Sequence, residues 1–346
     1  MLGVLWTPSE LSPRVEPARS AALYPVAGAP AVERAADAMV AAGVDELAVV
    51  TDAADVSEWG TAADVVDEVA ADLGKISPRG HESDDRVVVA LATAVLAGET
   101  IRRVAAARPA AAVRTGDEAV ERPPLAFSVS VERARRAASV PKLADALEHP
   151  EPVDCPFGFD VRRPWNLLEA NGVVLDEQSR SVRGDVHGSA EIRGDVVVEP
   201  GAVVESGCVV EGPAYLSPGV RVGPNAYVRG RTFLGREVRI GHAVEVKNSV
   251  LLDDARAPHL TYVGDSVVGP GANLGAGTQV ANLRHDDEPV RVAHDGDRVS
   301  TGRRKFGAVV GAGAKLGIGT CLDAGVTLAA GASTKPGEVL TRDRGL

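Results

Sequence analysis

The chain has 346 residues, 37 basic and 48 acidic, with a formal net charge of −11 and a pI near 5.2. That balance excludes a nucleic-acid-binding surface, which needs positive charge. An apolar content of 45% supplies packed cores for two domains. Lysine occurs only at Lys75, Lys142, Lys247, Lys305, Lys315 and Lys335, and so acidic and lysine-poor a surface is expected of a halophilic protein kept soluble at high salt. The three cysteines (Cys155, Cys208 and Cys321) form no CxxC pair and imply no disulfide framework. The N-terminal MLGVLWTPSE has no basic n-region or cleavage site, and the longest apolar run, near Val87–Leu96, is too short to span a bilayer. A cytoplasmic protein with no membrane partner is expected.

In chain order, helix is expected over Ala29–Ala42, strand over Glu46–Val50, and helix over Thr61–Leu73. Strand Arg86–Ala90, helix Glu99–Ala107, and strands Ala110–Val113 and Ala126–Val129 follow. Glu132–Leu147 reads as one helix in spite of Pro141. Such alternation means a Rossmann-like α/β sheet with helices on its faces. We place this domain at 1–155 and a linker with a bridging helix at 156–180, the helix running over Pro164–Ala170 and stopping at Asn171-Gly172.

From 181 to 346 the pattern changes. Every sixth residue from Val186 to Leu252 is apolar, and the frame Ala190 to Val250 holds small or β-branched residues throughout. A period of six fits neither helix nor simple alternation. It is the mark of a hexapeptide-repeat, left-handed parallel β-helix, a triangular prism with about eighteen residues per coil. The ladder is expected to break after Leu252, through DDARAPHLTYVGD, and to resume at Val268, Leu274 and Val280. A break in so strict a repeat is where a solenoid places function, and this one holds His259 and Tyr262, with Asn273 and Asn282 beyond it. Residues 283–305 are expected to leave the prism as a charged loop.

LYPVAGAPAVERAADAMVAAGVDELAVVTD at 23–52 and FDVRRPWNLLEANG at 159–172 resemble segments of sugar-phosphate nucleotidylyltransferases. Followed by a β-helix, they resemble the bifunctional enzymes that join a nucleotidylyltransferase to an amino-sugar-1-phosphate N-acetyltransferase in UDP-N-acetylglucosamine synthesis. ANLRHDDEPV and TGRRKFGAVVG point to the archaeal branch. The resemblance implies a homotrimer that uses acetyl-CoA and an amino-sugar-1-phosphate, glucosamine-1-phosphate first among them. It makes His259 the general base, a role imidazole suits. It makes Tyr262, Asn273 and Asn282 the residues that position the sugar, with Asn282 also orienting the amine. Arg229 and Lys247 match the family's cations for the sugar phosphate, and the turn Gly275-Ala276-Gly277 lies where the pantetheine arm of CoA approaches backbone. Glu288 stands where the family has a lysine.

The N-terminal half departs from the family. GVLWTPSELSPRVEPARSAALYPV lacks glycine after Gly3 and lacks lysine, so it offers few N–H groups for nucleotide phosphates, although Arg14 and Arg19 could meet one. VVVALATAVLAGET has no acid before Glu99, where the family's metal-binding aspartate belongs. The resemblance therefore implies Mg²⁺ only for an active first domain, and the site in this half reads as degenerate. Two alternatives are a retained nucleotidylyltransferase activity and a regulatory trimer that binds sugar nucleotides without turnover. A zinc-bound prism is disfavoured because His242 and His259 are read as far apart in the repeat, so no metal site is assigned.

Overall fold

The computed structural model describes residues 1–7, 15–16, 20–51, 68–70, 85–107, 111–114, 124–137, 139–145, 147, 150–155, 157–294 and 296–346. It divides into two compact units. The first comprises Met1–Leu11, Ser20–Tyr24 and Ala29–Arg162; the second comprises Ser12–Arg19, Pro25–Gly28 and Arg163–Leu346.

The first unit is built on strand β1 (Leu2–Trp6), which lies parallel between β2 (Glu46–Val50) and β4 (Arg86–Leu91). With β3 (Glu68–Ala70), β5 (Ala111–Arg114), β6 (Ala126–Ser130) and β7 (Glu151–Asp154) they form one sheet in the order β7-β5-β6-β4-β1-β2-β3. Only β6 runs antiparallel to its neighbours. Val4, Leu5, Val49, Val88 and Val89 are wholly buried, as expected of parallel strands covered on both faces. Helices α1 (Ala31–Ala41) and α2 (Gly98–Ala106) bury one apolar stripe each.

Two expected helices differ. Within Thr61–Leu73, Glu68–Ala70 is strand, paired parallel with β2; the rest of that stretch lies outside the described residues. Pairing on an open sheet edge outweighs the weak helical pattern of so short a segment. Glu132–Leu147 divides into α3 (Val131–Arg136) and α4 (Val140–Asp145). Ser139 Oγ accepts the Lys142 N–H at 3.4 Å and starts a new helix. Pro141 then falls in a first turn, where its missing N–H costs nothing.

The second unit holds α5 (Pro164–Asp176) and the left-handed parallel β-helix, whose three walls contain eight, seven and eight strands. The first wall runs from Ser181–Val182 to Thr327–Leu328, the second from Asp185–Val186 to Lys315–Leu316, the third from Glu191–Arg193 to Val339–Leu340. Val198, Val204, Val210, Leu216, Val222 and Val228 point inward and are buried. Phe233, Val250, Val267 and Val309 on the outer face of the first wall are buried as well, and α5 packs there. That wall is apolar on both faces, so the other two are left for polar work.

Helix α5 does not stop at Asn171-Gly172. Asn171 is fully buried; its amide donates to Leu167 O at 3.0 Å and Pro25 O at 3.2 Å, and its Oδ1 accepts from Ala27 N at 2.8 Å. These bonds hold in helix a residue whose propensity favours a stop. Among the described residues, no helix is long and apolar enough to cross a membrane.

The ladder also departs from strict sixes. Pairing runs eighteen residues per coil as far as Arg229↔Lys247 and seventeen from Phe233↔Val250 to Tyr262↔Gln279, and it returns to eighteen at Val309↔Thr327, after the coil that carries the insertion. The inward residue after Val246 is therefore Leu251, not Leu252, and Val250 faces out. Ala257 and Val263 also point inward, so the expected break at 253–265 is continuous prism. Each shortened corner is closed by a hydroxyl of the preceding coil. Thr232 Oγ1 accepts from Ser249 N, Ser249 Oγ from Ser266 N, and Ser266 Oγ from Ala308 N, at 3.0–3.4 Å.

Replacing Asn171 by leucine should cost about 2 kcal/mol, because the buried Ala27 N–H loses its acceptor. Urea unfolding of the variant against the parent checks this.

Candidate active site

The corner that joins the third wall to the first generates the site. The third-wall strands Tyr227–Arg229, Glu245–Lys247 and Tyr262–Gly264 stack in register, aligning Arg229 with Lys247 and Gly264, and Glu245 with Tyr262. The residue after each is left-handed: Gly230 at φ 63°, Asn248 at φ 43° and Asp265 at φ 51°. Asn and Asp tolerate that conformation. Where glycine would carry nothing, Asn248 and Asp265 add polar side chains to the corner.

Those side chains organise the cluster. Asp265 is 2% exposed. Its carboxylate accepts from Lys247 Nζ at 2.7 Å, from Asn248 Nδ2 at 2.6 Å, and from Asn282 Nδ2. The Asn282 amide also donates to the Tyr262 hydroxyl at 3.3 Å. A Cβ on Gly264 would lie 2.5 Å from the Tyr262 oxygen and 2.8 Å from Asn282 Nδ2, so only glycine admits the pair. Arg229 binds Glu245 through Nε at 2.9 Å and a terminal nitrogen at 2.7 Å, leaving its other terminal nitrogen open among the described residues. Burial pushes the Tyr262 phenol above its ordinary pKa, and the Asp265 and Glu245 charges push the same way. The phenol is therefore a neutral donor at physiological pH.

Four of the six side chains expected from the sequence (Arg229, Lys247, Tyr262 and Asn282) thus share one locus. The other two lie on the second wall. His259 ends the strand Arg256–His259 and is exposed, one corner before Tyr262; Asn273 pairs in register with Arg256, at the other end of that wall. The turn Gly275-Ala276-Gly277 lies one coil beyond His259, whose carbonyl accepts the Gly277 N–H at 3.0 Å. Gly275 N–H bonds Leu316 O, which leaves the Ala276 N–H as the free donor of the turn among the described residues. His242 is not distant from His259: the two are aligned partners on adjacent coils. The seventeen-residue coil, hidden from a count in sixes, aligns them. Among the described residues, no group of three or more His, Cys, Asp or Glu could hold a metal.

Residues 283–305 are more than a loop. Arg291–His294 and Asp297–Ser300 form an antiparallel hairpin folded back on its own β-helix. Arg298 bonds Asp343 at 3.0 Å, Arg303 pairs with Glu169 on α5, and the His294 ring meets the edge of Trp165 at 5.6 Å. Glu288 is exposed, and its N–H bonds Asp286. Arg284 is paired with Asp286.

In the first unit, Ala90, Leu91, Ala92 and Thr93 at the end of β4 are buried and offer Mg²⁺ no carboxylate. Arg14, Arg19 and most of the loop after β1 lie outside the described residues.

Sequence reasoning missed Asp265 and Asn248. In TYVGD and KN they read as ordinary turn residues, and only left-handed φ, with the burial of Asp265 and its bond from Asn248, marks them.

The fold and this corner define the chain as a hexapeptide-type β-helix protein with an α/β domain before it. A family model, the GMPPB C-terminal domain, matches residues 210–326. The chain is 42% identical over 190 residues to the bifunctional sugar-1-phosphate nucleotidylyltransferase/acetyltransferase of Sulfurisphaera tokodaii, covering 55% of this chain and 47% of that one. It is 40% identical over 152 residues to the bifunctional protein GlmU of Methanocaldococcus jannaschii and 51% to that of Methanococcus maripaludis, each match covering 44% of this chain and 37% of the relative. The chain thus spans less than half the length of the curated relatives it matches. The resemblance read from the sequence is to these archaeal proteins.

Neutralising Asp265 as Asp265→Asn should lower the Tyr262 phenol pKa, since a negative neighbour favours the neutral phenol. An ultraviolet phenolate titration, compared with Tyr262→Phe in the same background, checks this.

Proposed function

We propose that the β-helix unit is an acetyl-CoA-dependent N-acetyltransferase acting on an amino-sugar-1-phosphate, glucosamine-1-phosphate first. One observation carries the reading: Arg229, Lys247 and Tyr262 present open donors beside Asn282 on a single corner. A phosphate needs convergent cations and N–H or O–H donors, and this corner supplies a guanidinium, an ammonium and a neutral hydroxyl.

In the reaction, His259 takes a proton from the sugar ammonium. His259 releases that proton to solvent; the amine nitrogen then forms a bond to the thioester carbonyl carbon, whose C=O π electrons move onto oxygen, and its second proton passes to the again-neutral His259. The carbon–sulfur bond breaks and CoA leaves as the thiol, with a proton returned from His259. The Ala276 N–H is a suitable donor to the oxyanion between these steps. Asn273 and His259 share the second wall, while the phosphate donors occupy the third. A homotrimer, with the second wall of one copy facing the third wall of the next, fits that division. The first unit is read as a degenerate nucleotidylyltransferase domain, and no step is assigned to Mg²⁺ there. The acidic composition favours assay at high salt.

Thiol release from acetyl-CoA with glucosamine-1-phosphate or galactosamine-1-phosphate tests the reading, with pyrophosphate release from UTP or dTTP measured in the same preparation. Thiol without pyrophosphate is expected; pyrophosphate release would overturn the degenerate reading of the first unit. His259→Ala should lower kcat on the order of 100-fold or more with the trimer intact. Arg229→Ala should raise KM for the sugar phosphate about 10-fold and leave KM for acetyl-CoA unchanged.

A further inference from the structure

We propose that Asp265 is a positioning residue that sets the donor and acceptor polarity of this corner, and thereby selects a ligand carrying an N–H next to a phosphate. The inference rests on the acetyltransferase reading above and adds a residue and a reason for the ligand's chemistry.

A buried carboxylate must be compensated by charge or hydrogen bonds. Asp265 receives both, from the Lys247 ammonium and from the amides of Asn248 and Asn282. For Asn282 the consequence is directional. A primary amide has two hydrogens and one carbonyl oxygen. One Asn282 hydrogen goes to Asp265 and the other to the Tyr262 oxygen. The opposite amide orientation would press the Asn282 carbonyl against the Asp265 carboxylate, which is repulsive. Asn282 Oδ1 is therefore the atom left to meet a ligand, and it can only accept.

The same chain orients Tyr262. Its oxygen accepts from Asn282, so its own O–H remains free to donate. Lys247 keeps two N–H groups beyond the one on Asp265. The corner thus offers one fixed acceptor among several donors. A ligand complementary to it places an amine or amide N–H on Asn282 Oδ1, and phosphate or hydroxyl oxygens on Tyr262, Lys247 and Arg229. Without the Asp265 charge the Asn282 amide would be free to rotate, and this polarity would be lost.

The test uses all 346 residues as the homotrimer proposed above. In Asp265→Asn, kcat/KM for glucosamine-1-phosphate should fall roughly 10- to 100-fold, carried mainly by KM, while KM for acetyl-CoA stays at the parent value. An intact trimer with both KM values unchanged would overturn the inference. So would equal loss toward both substrates, since a merely structural residue would disturb both. If Asp265→Asn does not assemble, the reversed pair Asp265→Asn with Asn282→Asp restores one amide facing one carboxylate. That double variant should exceed Asn282→Asp alone by at least about 10-fold in kcat/KM, because the single variant sets two carboxylates together; simple additivity would overturn the proposal. Should the parent protein release no thiol, the acetyltransferase reading fails first, and calorimetric binding of glucosamine-1-phosphate to the same variants decides the role of Asp265. Weaker binding to Asp265→Asn supports the role, and unchanged or absent binding overturns it.

Discussion

The structure depends on the backbone hydrogen bonds that pass from each coil of the β-helix to the next. They hold three parallel walls in register over seven or eight strands each, so a residue is placed by its position in the coil rather than by its neighbours in sequence. Side-chain columns follow from that register. Arg229, Lys247 and Gly264 align although they are far apart in the chain, and so do His242 and His259. A prism lined by Val, Leu and Ile sets the spacing, and the outer faces inherit it.

The site arises where this regularity is shortened by one residue. The seventeen-residue coils bring left-handed corners at Asn248 and Asp265 beside an inner column of hydroxyls, Thr232, Ser249 and Ser266. The hydroxyls satisfy the backbone N–H groups of the tighter turns. The corner residues, freed from being glycine, carry side chains that gather Lys247 and Asn282 around one buried carboxylate. The polar cluster at this corner is thus a by-product of how the turn is closed. Gly264 contributes by having no side chain, which lets Tyr262 and Asn282 meet.

The hairpin inserted after Asn282 returns next to where it leaves, since Phe306 N bonds Asn282 O and Gly307 N bonds Asp265 O. The insertion therefore interrupts the sequence and not the prism. Its tethers to α5, through Arg303 with Glu169 and His294 with Trp165, keep it on its own β-helix. Glu288, where the sequence resemblance implied a lysine, is exposed and its N–H bonds Asp286, while Arg284 is engaged by Asp286. The cationic side of the corner rests on Arg229 and Lys247.

What the sequence by itself determined follows from periodicity. A run of apolar residues at every sixth position has few ways to be buried, so the β-helix and its apolar filling were legible from spacing alone, whereas Arg229 and Lys247 were named through the family resemblance and aligned only by the strand register. The α/β alternation of the first unit was legible for the same reason, since apolar strands covered on both faces leave a plain mark. Tertiary structure decided whatever depended on contacts distant in sequence. Asn171 stays helical because Pro25 and Ala27 bind it. Glu68–Ala70 becomes strand because an edge of β2 is there to pair with. A one-residue shortening moves the inward position from Leu252 to Leu251 because Thr232 can close the corner. The place of Asp265 is invisible until the coils are stacked: an aspartate after glycine reads as a turn, and only the stacked coils bury its carboxylate among Lys247, Asn248 and Asn282.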